Sequence, residues 1–322
     1  MMTSLFVDRR GVEIRLDGEA LTFYEKDERI ATVPIAPLER IYVCGDTLVR
    51  AGLLAKLGER GVGVVFLSGR RFVPSLFLPK PHNDASRRIK QYELSSSNVF
   101  KMRFSREIVS RKIRAQRDCL LSLKTEHSEC ENELTELSDR LLELLPLVEG
   151  LSFSAELRGL EGSAAKLYFS GVARVLPKEL CFSGRNRRPP RDPFNVILSL
   201  GYTLLHSEAV LISYGMGLDP YIGFYHSLDF GRESLACDLI EDLRPLVDRF
   251  AIRLFEEKIL TIDDFSRQTD SCLLGKSGRT RFYPAWDECR KSLRAALEDR
   301  ASELLRAATE LSNTTDVERC TA

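Results

Sequence analysis

Residues 12–24, Val-Glu-Ile-Arg-Leu-Asp-Gly-Glu-Ala-Leu-Thr-Phe-Tyr, decide how the N-terminal part of the chain folds. Val12, Ile14 and Leu16 alternate with Glu13 and Arg15, so an extended chain here has one apolar face. A turn at Asp17-Gly18 leads into Leu21–Tyr24, a second strand. Outward from this pair, Leu5–Val7, Ile30–Val33 and Arg40–Cys44 are further short β-rich segments, and the spacing predicts antiparallel hairpins. Leu48, Leu53, Leu54 and Leu57 recur at helical spacing from Thr47, with Gly58 and Gly61 as the stop. Val64–Leu67 reads as a buried strand and Arg71–Phe77 as another, and Pro79 and Pro81 close the unit.

From about residue 86 the apolar period changes to three and four. Long helices are predicted at Phe100–Leu123, Glu131–Val148, Ala155–Val175, Pro193–Gly215 and Ser234–Glu257, with a last one from about Ala285 to Leu311 after a hairpin near Gly278. The expected class is α+β: a small N-terminal β-sandwich-like domain followed by a larger all-α C-terminal domain. The expected boundaries are 1–82 for the β domain, 83–98 for a linker, 99–311 for the helical domain and 312–322 for a flexible tail.

The 322 residues carry 47 Lys plus Arg and 47 Asp plus Glu, with 43% hydrophobic residues. That balance excludes a polybasic tail protein and leaves enough apolar residues for a sizeable core. No apolar run reads as long enough to span a bilayer, and the first residues lack a basic-then-apolar leader, so a cytoplasmic protein with no membrane association is expected. The eight cysteines fall singly, which argues for reduced, mostly buried thiols rather than a zinc or disulfide framework.

Charge is segmented although the total is zero. Residues 86–118 hold ten Lys/Arg against three acids, and residues 125–150 hold eight acids against Arg140. The two blocks either pair with one another or form solvated faces, or the basic one contacts a duplex backbone. A second basic stretch, Arg185, Arg187, Arg188 and Arg191, lies in a loop around Pro189 and Pro190 that excludes regular helix. Guanidinium forks there suit phosphate oxygens, and a solvated loop is the plain alternative.

The chemistry-bearing region is Gly223 to Pro245. His226 precedes a loop, and Asp238 and Glu241 stand three residues apart on one helical face, with Arg244 as a possible ion-pair partner. Buried acids need partners, and a divalent cation with oxygen and imidazole ligands, Mg²⁺ or Mn²⁺, is one solution. Glu161 lies between Gly159 and Gly162, each of which costs a helix about 1 kcal/mol relative to alanine. Close packing, or a carboxylate reaching a ligand among small neighbours, would compensate.

Three segments then become recognisable together: Gly159-Leu160-Glu161-Gly162 with Ala165 and Tyr168-Phe169; Arg191-Asp192-Pro193-Phe194-Asn195; and Gly223-Phe224 with His226, Ser234-Leu235-Ala236, Asp238-Leu239, Glu241 and Arg244-Pro245. In order and spacing they closely resemble the CRISPR-associated adaptation endonuclease/integrase family, the Cas-one proteins. The resemblance covers nearly the whole chain, from Leu5-Phe6-Val7-Asp8 to Asp264-Phe265. It implies a homodimer, with the N-terminal domain as the dimerisation unit, that joins a small ferredoxin-like partner (Cas-two) and inserts short double-stranded DNA fragments into the CRISPR repeat as new spacers.

The resemblance further implies that Glu161, His226 and Glu241 are the catalytic metal ligands, with Asp238 in support and Asp242 as a rival for the third position. It also implies a DNA-contacting set: Arg185, Arg187, Arg188, Arg191, Arg244, Asn195 and Tyr202, the last two on one face with Ser199; Tyr168, seven residues after Glu161 on the same helical face, either stacks on or orients a DNA end or is a packed aromatic. Attack by a 3′-hydroxyl on a phosphodiester needs no protein nucleophile, and none is evident. The alternatives are a stand-alone metal-dependent DNase acting on branched or repair-intermediate DNA, and a DNA-binding scaffold whose acids are structural.

Overall fold

The computed structural model describes residues 3–68, 73–186, 189–226, 229–267 and 270–320. The chain divides into two compact units, Met1–Ala85 with Val210–Leu218, and Ser86–Ala209 with Asp219–Ala322.

In the first unit, β1 (Thr3–Val7), β2 (Val12–Asp17), β3 (Ala20–Glu25), β4 (Glu28–Pro34), β5 (Leu38–Val43) and β6 (Thr47–Val49) precede α1 (Ala51–Glu59), β7 (Gly63–Ser68) and β8 (Val73–Phe77). They form two four-stranded sheets, β1-β5-β7-β8 and β4-β3-β2-β6. As the alternation predicts, β2, β3 and β4 are joined by tight hairpins; Lys26 and Asp27, between β3 and β4, both take positive φ, the conformation of a two-residue turn that matches strand twist. Val12, Ile14, Leu21 and Phe23 from one sheet share a core with Val7, Ile41, Val43 and Val64 from the other, and with Leu53 and Leu57 of α1. Gly63 is required there, because a Cβ would lie 2.8 Å from Leu211 Cδ2.

The antiparallel expectation fails beyond these hairpins: in the other sheet β1 with β5 and β5 with β7 are parallel, and in this one so is β2 with β6. β5 is buried along almost its whole length, and a strand covered on both faces loses the alternation that reports direction. The helix expected from Thr47 begins instead at Ala51, since β-branched Thr47 and Val49 extend as β6 beside Val12 and Ile14.

The second unit holds α2 (Ser86–Ser96), α3 (Asn98–Glu126), α4 (Glu131–Gly150), α5 (Ser154–Val175), α6 (Pro193–Gly215, whose last turns from Val210 belong to the first unit), α7 (Ser234–Ile240), α8 (Arg244–Glu256), the short hairpin β9 (Phe265–Arg267) and β10 (Cys272–Leu274), and α9 (Lys276–Cys320). The stretch 83–98, expected as a linker, carries α2, whose buried Gln91 bonds the backbone of Asp219 and Ile222. α9 begins before Gly278 rather than after it and runs on through the expected tail to Cys320.

α6 matches its expected bounds. It corrects the reading that no apolar run is long enough to span a bilayer: it meets that length and composition, yet 78% of its apolar window is buried in the protein, as a core helix is. The helix expected over Ser234–Glu257 is broken by a 3₁₀ turn at Glu241–Leu243. Pro245 has no N–H for the Glu241 carbonyl, so the α ladder stops and α8 restarts with proline in its first turn. Among the seven cysteines with described side chains only Cys119 and Cys272 are buried, so the thiols are not mostly core residues.

The helical core depends on α3, whose buried stripe includes Val109, Ile113, Gln116 and Leu120. α5 crosses it at Gly171, where a Cβ would lie 2.8 Å from Leu120 Cδ2 and 3.2 Å from Leu137 Cδ1. Gly159 and Gly162 differ: an added Cβ meets nothing within 4 Å at either, so close packing does not explain them. Gly171→Ala should therefore destabilise the protein by about 1–3 kcal/mol through overpacking. Gly162→Ala should stabilise it by about 0.5–1 kcal/mol through helix propensity. Urea unfolding of both variants checks the opposite signs.

Candidate metal centre

The site is assembled from four segments of the helical unit, and its geometry begins with Asp238. Its side chain is fully buried and accepts the backbone N–H groups of Phe224 at 2.6 Å, Tyr225 at 3.1 Å and His226 at 3.0 Å. Three amide donors on one carboxylate fix the loop ahead of α7. Gly223 is needed in that loop because a Cβ would sit 2.7 Å from the Ser234 backbone and 2.8 Å from Asp238 Oδ2. The same carboxylate lies 2.8 Å from His226 Nδ1. A proton held on Nδ1 by Asp238 leaves the Nε2 lone pair facing Glu241, 3.8 Å from its Oε1.

Glu161 from α5 and Glu241 from the 3₁₀ turn converge on one cationic atom, Lys112 Nζ of α3. The ammonium donates to Glu161 Oε1 and, at 2.6 Å, to Glu241 Oε2. The Tyr225 hydroxyl donates to Glu161 Oε2, and Arg244 Nε donates to Glu241 Oε1 at 3.0 Å. Burial alone would raise the Glu241 carboxyl, but Arg244 and Lys112 hold it well below the carboxylate range. Burial likewise disfavours the Lys112 ammonium, and the two carboxylates outweigh it and raise its pKa.

The ammonium stands where a cation bridging two carboxylates belongs. Two hard carboxylates with an imidazole nitrogen beside one of them fit a divalent cation of the Mg²⁺ or Mn²⁺ type, although among the described residues no three acid, His or Cys side chains are already grouped as a ligand set. Asp238 points at backbone amides and the imidazole. Asp242 is bound by Arg300 at 2.9 Å. Of the three acids in the segment, Glu241 is the one that shares a cation with Glu161.

The arginine loop feeds the same neighbourhood. Arg185 donates to Asn195 Oδ1 at 2.7 Å and Ser199 Oγ at 3.2 Å, and its guanidinium lies 5.3 Å from the Tyr202 ring centre. Arg244 lies 4.7 Å from that ring centre, and the Tyr202 hydroxyl donates to Asp248. Arg191 is exposed; Arg187 and Arg188 lie outside the described residues.

Two expected DNA-contacting residues are not placed to touch DNA. Asn195 is fully buried and spends its side chain on Gly184, Asp192, Arg185 and Asn186. Tyr168 is fully buried too, with its hydroxyl on Cys119 Sγ at 3.3 Å, because its face of α5 packs inward.

The charge blocks do not simply neutralise one another: Arg106 binds the Leu151 carbonyl, Arg111 binds Glu107 and Glu303, and Lys112 turns into the site. Sequence reasoning counted Lys112 among the duplex-binding cations and missed Tyr225 and Asp248. One signal was available for Lys112, which interrupts the apolar stripe of α3 between Val109 and Gln116.

Comparison with known proteins follows the same lines. The sequence pattern of the family described as CRISPR associated protein Cas1 matches residues 5–288. The CRISPR-associated endonuclease Cas1 1 of Thermodesulfovibrio yellowstonii is 40% identical over 294 residues, covering 89% of this chain and 91% of the relative. A solved chain of a Cas6-RT-Cas1–Cas2 complex matches with a TM-score of 0.79 at 27% identity, over 96% of this chain and 35% of that one. A casposase bound to integration product shares the fold, with a TM-score of 0.80 at 20% identity over 95% of this chain and 91% of that one.

Asp248, buried beneath Tyr202, is pushed up to about 6, chiefly by burial and against the hydrogen bonds it accepts from Tyr202 and Tyr168. A raised folded pKa contributes stability below the ordinary carboxylate pKa of about 4 and loses it as pH rises through about 6. Asp248→Asn removes that slope. Its unfolding free energy should gain on the wild type by roughly 2–3 kcal/mol between pH 4 and pH 7, as read from urea unfolding at each pH.

Proposed function

The chain belongs to the CRISPR-associated Cas1 family, and on that premise we propose that it is a metal-dependent DNA endonuclease/integrase that joins short DNA fragments into a CRISPR array as new spacers. The observation that carries the site assignment is the convergence of Glu161 and Glu241 on one cationic position, with His226 Nε2 3.8 Å from the other oxygen of Glu241. Glu161, His226 and Glu241 would hold a divalent metal, Mg²⁺ or Mn²⁺, and Asp238 fixes the imidazole tautomer and ring plane. When bound, the metal supplies Lewis-acid polarisation of a phosphoryl oxygen and lowers the pKa of the attacking hydroxyl.

The chain's own residues do the rest by position and charge. Arg244 and Arg185, both against the Tyr202 ring, and exposed Arg191 place guanidinium groups where a phosphate strand can be held. The open space beside Gly159 and Gly162 leaves room for a backbone to approach Glu161 without displacing side chains. The nucleophile is the 3′-hydroxyl of the incoming strand, so no protein nucleophile is consumed.

A Cas2-type partner, as in the complex that shares this fold, and a homodimer built through the N-terminal unit complete the DNA surface of an otherwise charge-neutral chain acting in the cytoplasm. The stand-alone nuclease reading uses the same residues with water as nucleophile, and the family membership does not favour it.

The test is integration of a short 3′-hydroxyl duplex into a supercoiled plasmid carrying a repeat, with the Cas2-type partner, in Mg²⁺, Mn²⁺ and EDTA. Joined product should vanish in EDTA and fall by about 100-fold or more in His226→Ala, and Asp238→Asn should cost about 10–100-fold in metal affinity. Cleavage without joining would move the assignment to a nuclease. Metal-independent DNA binding with no reaction would leave a scaffold.

A further inference from the structure

We propose that Lys112 is a built-in cation that competes with the metal for Glu161 and Glu241, so that the metal loads only as the ammonium leaves the two carboxylates. The inference rests on the metal-site reading above and adds a residue that sets metal affinity. Lys112 comes from the buried face of α3, a place where lysine is rare unless paired. Its Nζ donates to Glu161 Oε1 and, at 2.6 Å, to Glu241 Oε2. A small divalent ion bridging those same oxygens at about 2.1 Å would need the space the nitrogen fills. The other oxygen of each glutamate already accepts a hydrogen bond, from Tyr225 in one case and Arg244 in the other.

Charge makes the same demand. Of the site's three carboxylates Asp238 is spent on backbone amides and His226, and Glu161 and Glu241 are matched by the Lys112 ammonium and the Arg244 guanidinium. A divalent ion added with the ammonium still in place would load a poorly hydrated site with surplus positive charge, which a low effective dielectric penalises. Lys112 thereby also keeps the acids from repelling one another before any metal arrives, so the site folds without its ion.

The experiment measures Mn²⁺ binding to the full-length chain without DNA, by calorimetry and by the electron paramagnetic resonance of free Mn²⁺. Wild type is compared with Lys112→Met, Lys112→Arg and Glu161→Gln, alongside thermal melts in EDTA and in Mn²⁺. Lys112→Met should bind Mn²⁺ at least about tenfold more tightly, melt lower in EDTA and gain more from Mn²⁺, whereas Lys112→Arg should stay near wild type. If Lys112→Met does not fold in EDTA, recovery of a cooperative melt on adding Mn²⁺ supports the proposal, and no recovery overturns it. Mn²⁺ binding that Glu161→Gln abolishes but Lys112→Met leaves unchanged or weakens would overturn the competition alone. No Mn²⁺ binding by wild type or by Lys112→Met would overturn the metal-site reading and the competition with it.

Discussion

Two carboxylates brought together inside a helical core must have a cation between them, and the second unit is organised around that constraint. Glu161 and Glu241 come from helices far apart in sequence, so the packing of α3, α5 and the 3₁₀ turn is what makes them neighbours. Like charges at that range raise one another's pKa unless compensated. Here Lys112 and Arg244 more than offset burial, which is why Glu241 stays ionised at 4% side-chain exposure. The break in the helix before Pro245 matters for the same reason: it turns Glu241 toward Lys112 and leaves Asp242 to Arg300.

A second layer makes this arrangement durable. Asp238 uses its carboxylate on three backbone amides and on His226 Nδ1, so the imidazole cannot rotate without giving up a buried charge-assisted bond. Tyr202 does comparable work for Arg244. Its ring meets both the Arg185 and the Arg244 guanidinium, and its hydroxyl donates to buried Asp248, which anchors the ring. Guanidinium groups held by planar contacts retain their charge and lose little further freedom on meeting a phosphate.

Much of this was legible in the sequence, and the failures share a cause. The β2–β3–β4 meander and the bounds of α6 follow from local period and turn chemistry. Parallel pairing of β1, β5 and β7 does not, because strand order depends on contacts across the unit and β5 is buried on both faces. At the site, Glu161, His226 and Glu241 came as a ligand set only from the resemblance to the family, while the roles of Asp238 and Asp242 waited on which way each side chain turned. Lys112 was counted as one charge in a basic block, and only its burial separates it from its exposed neighbour Arg114. Tyr168 and Asn195 show the converse error, since a helical face shared with a site residue says nothing about whether that face looks outward.

The two glutamates and the histidine proposed as ligands are not prepared to the same degree, and under that proposal the difference bears on how the centre would work. The His226–Asp238–Gly223 arm is closely tied, by backbone amides and by a glycine with no room for a side chain. The Glu161 arm is looser: its carboxylate is 20% exposed, its partners are a lysine and a tyrosine on other segments, and the glycines beside it face open space. Integration requires a centre that accepts an ion and a DNA strand and later releases a joined product. Preorganisation on the His226 side fixes where charge will be stabilised, and exchangeable contacts on the Glu161 side allow the occupants to change without unfolding the core. A site rigid on both sides would hold its metal well and turn over poorly, and one loose on both sides would have no defined geometry for in-line attack.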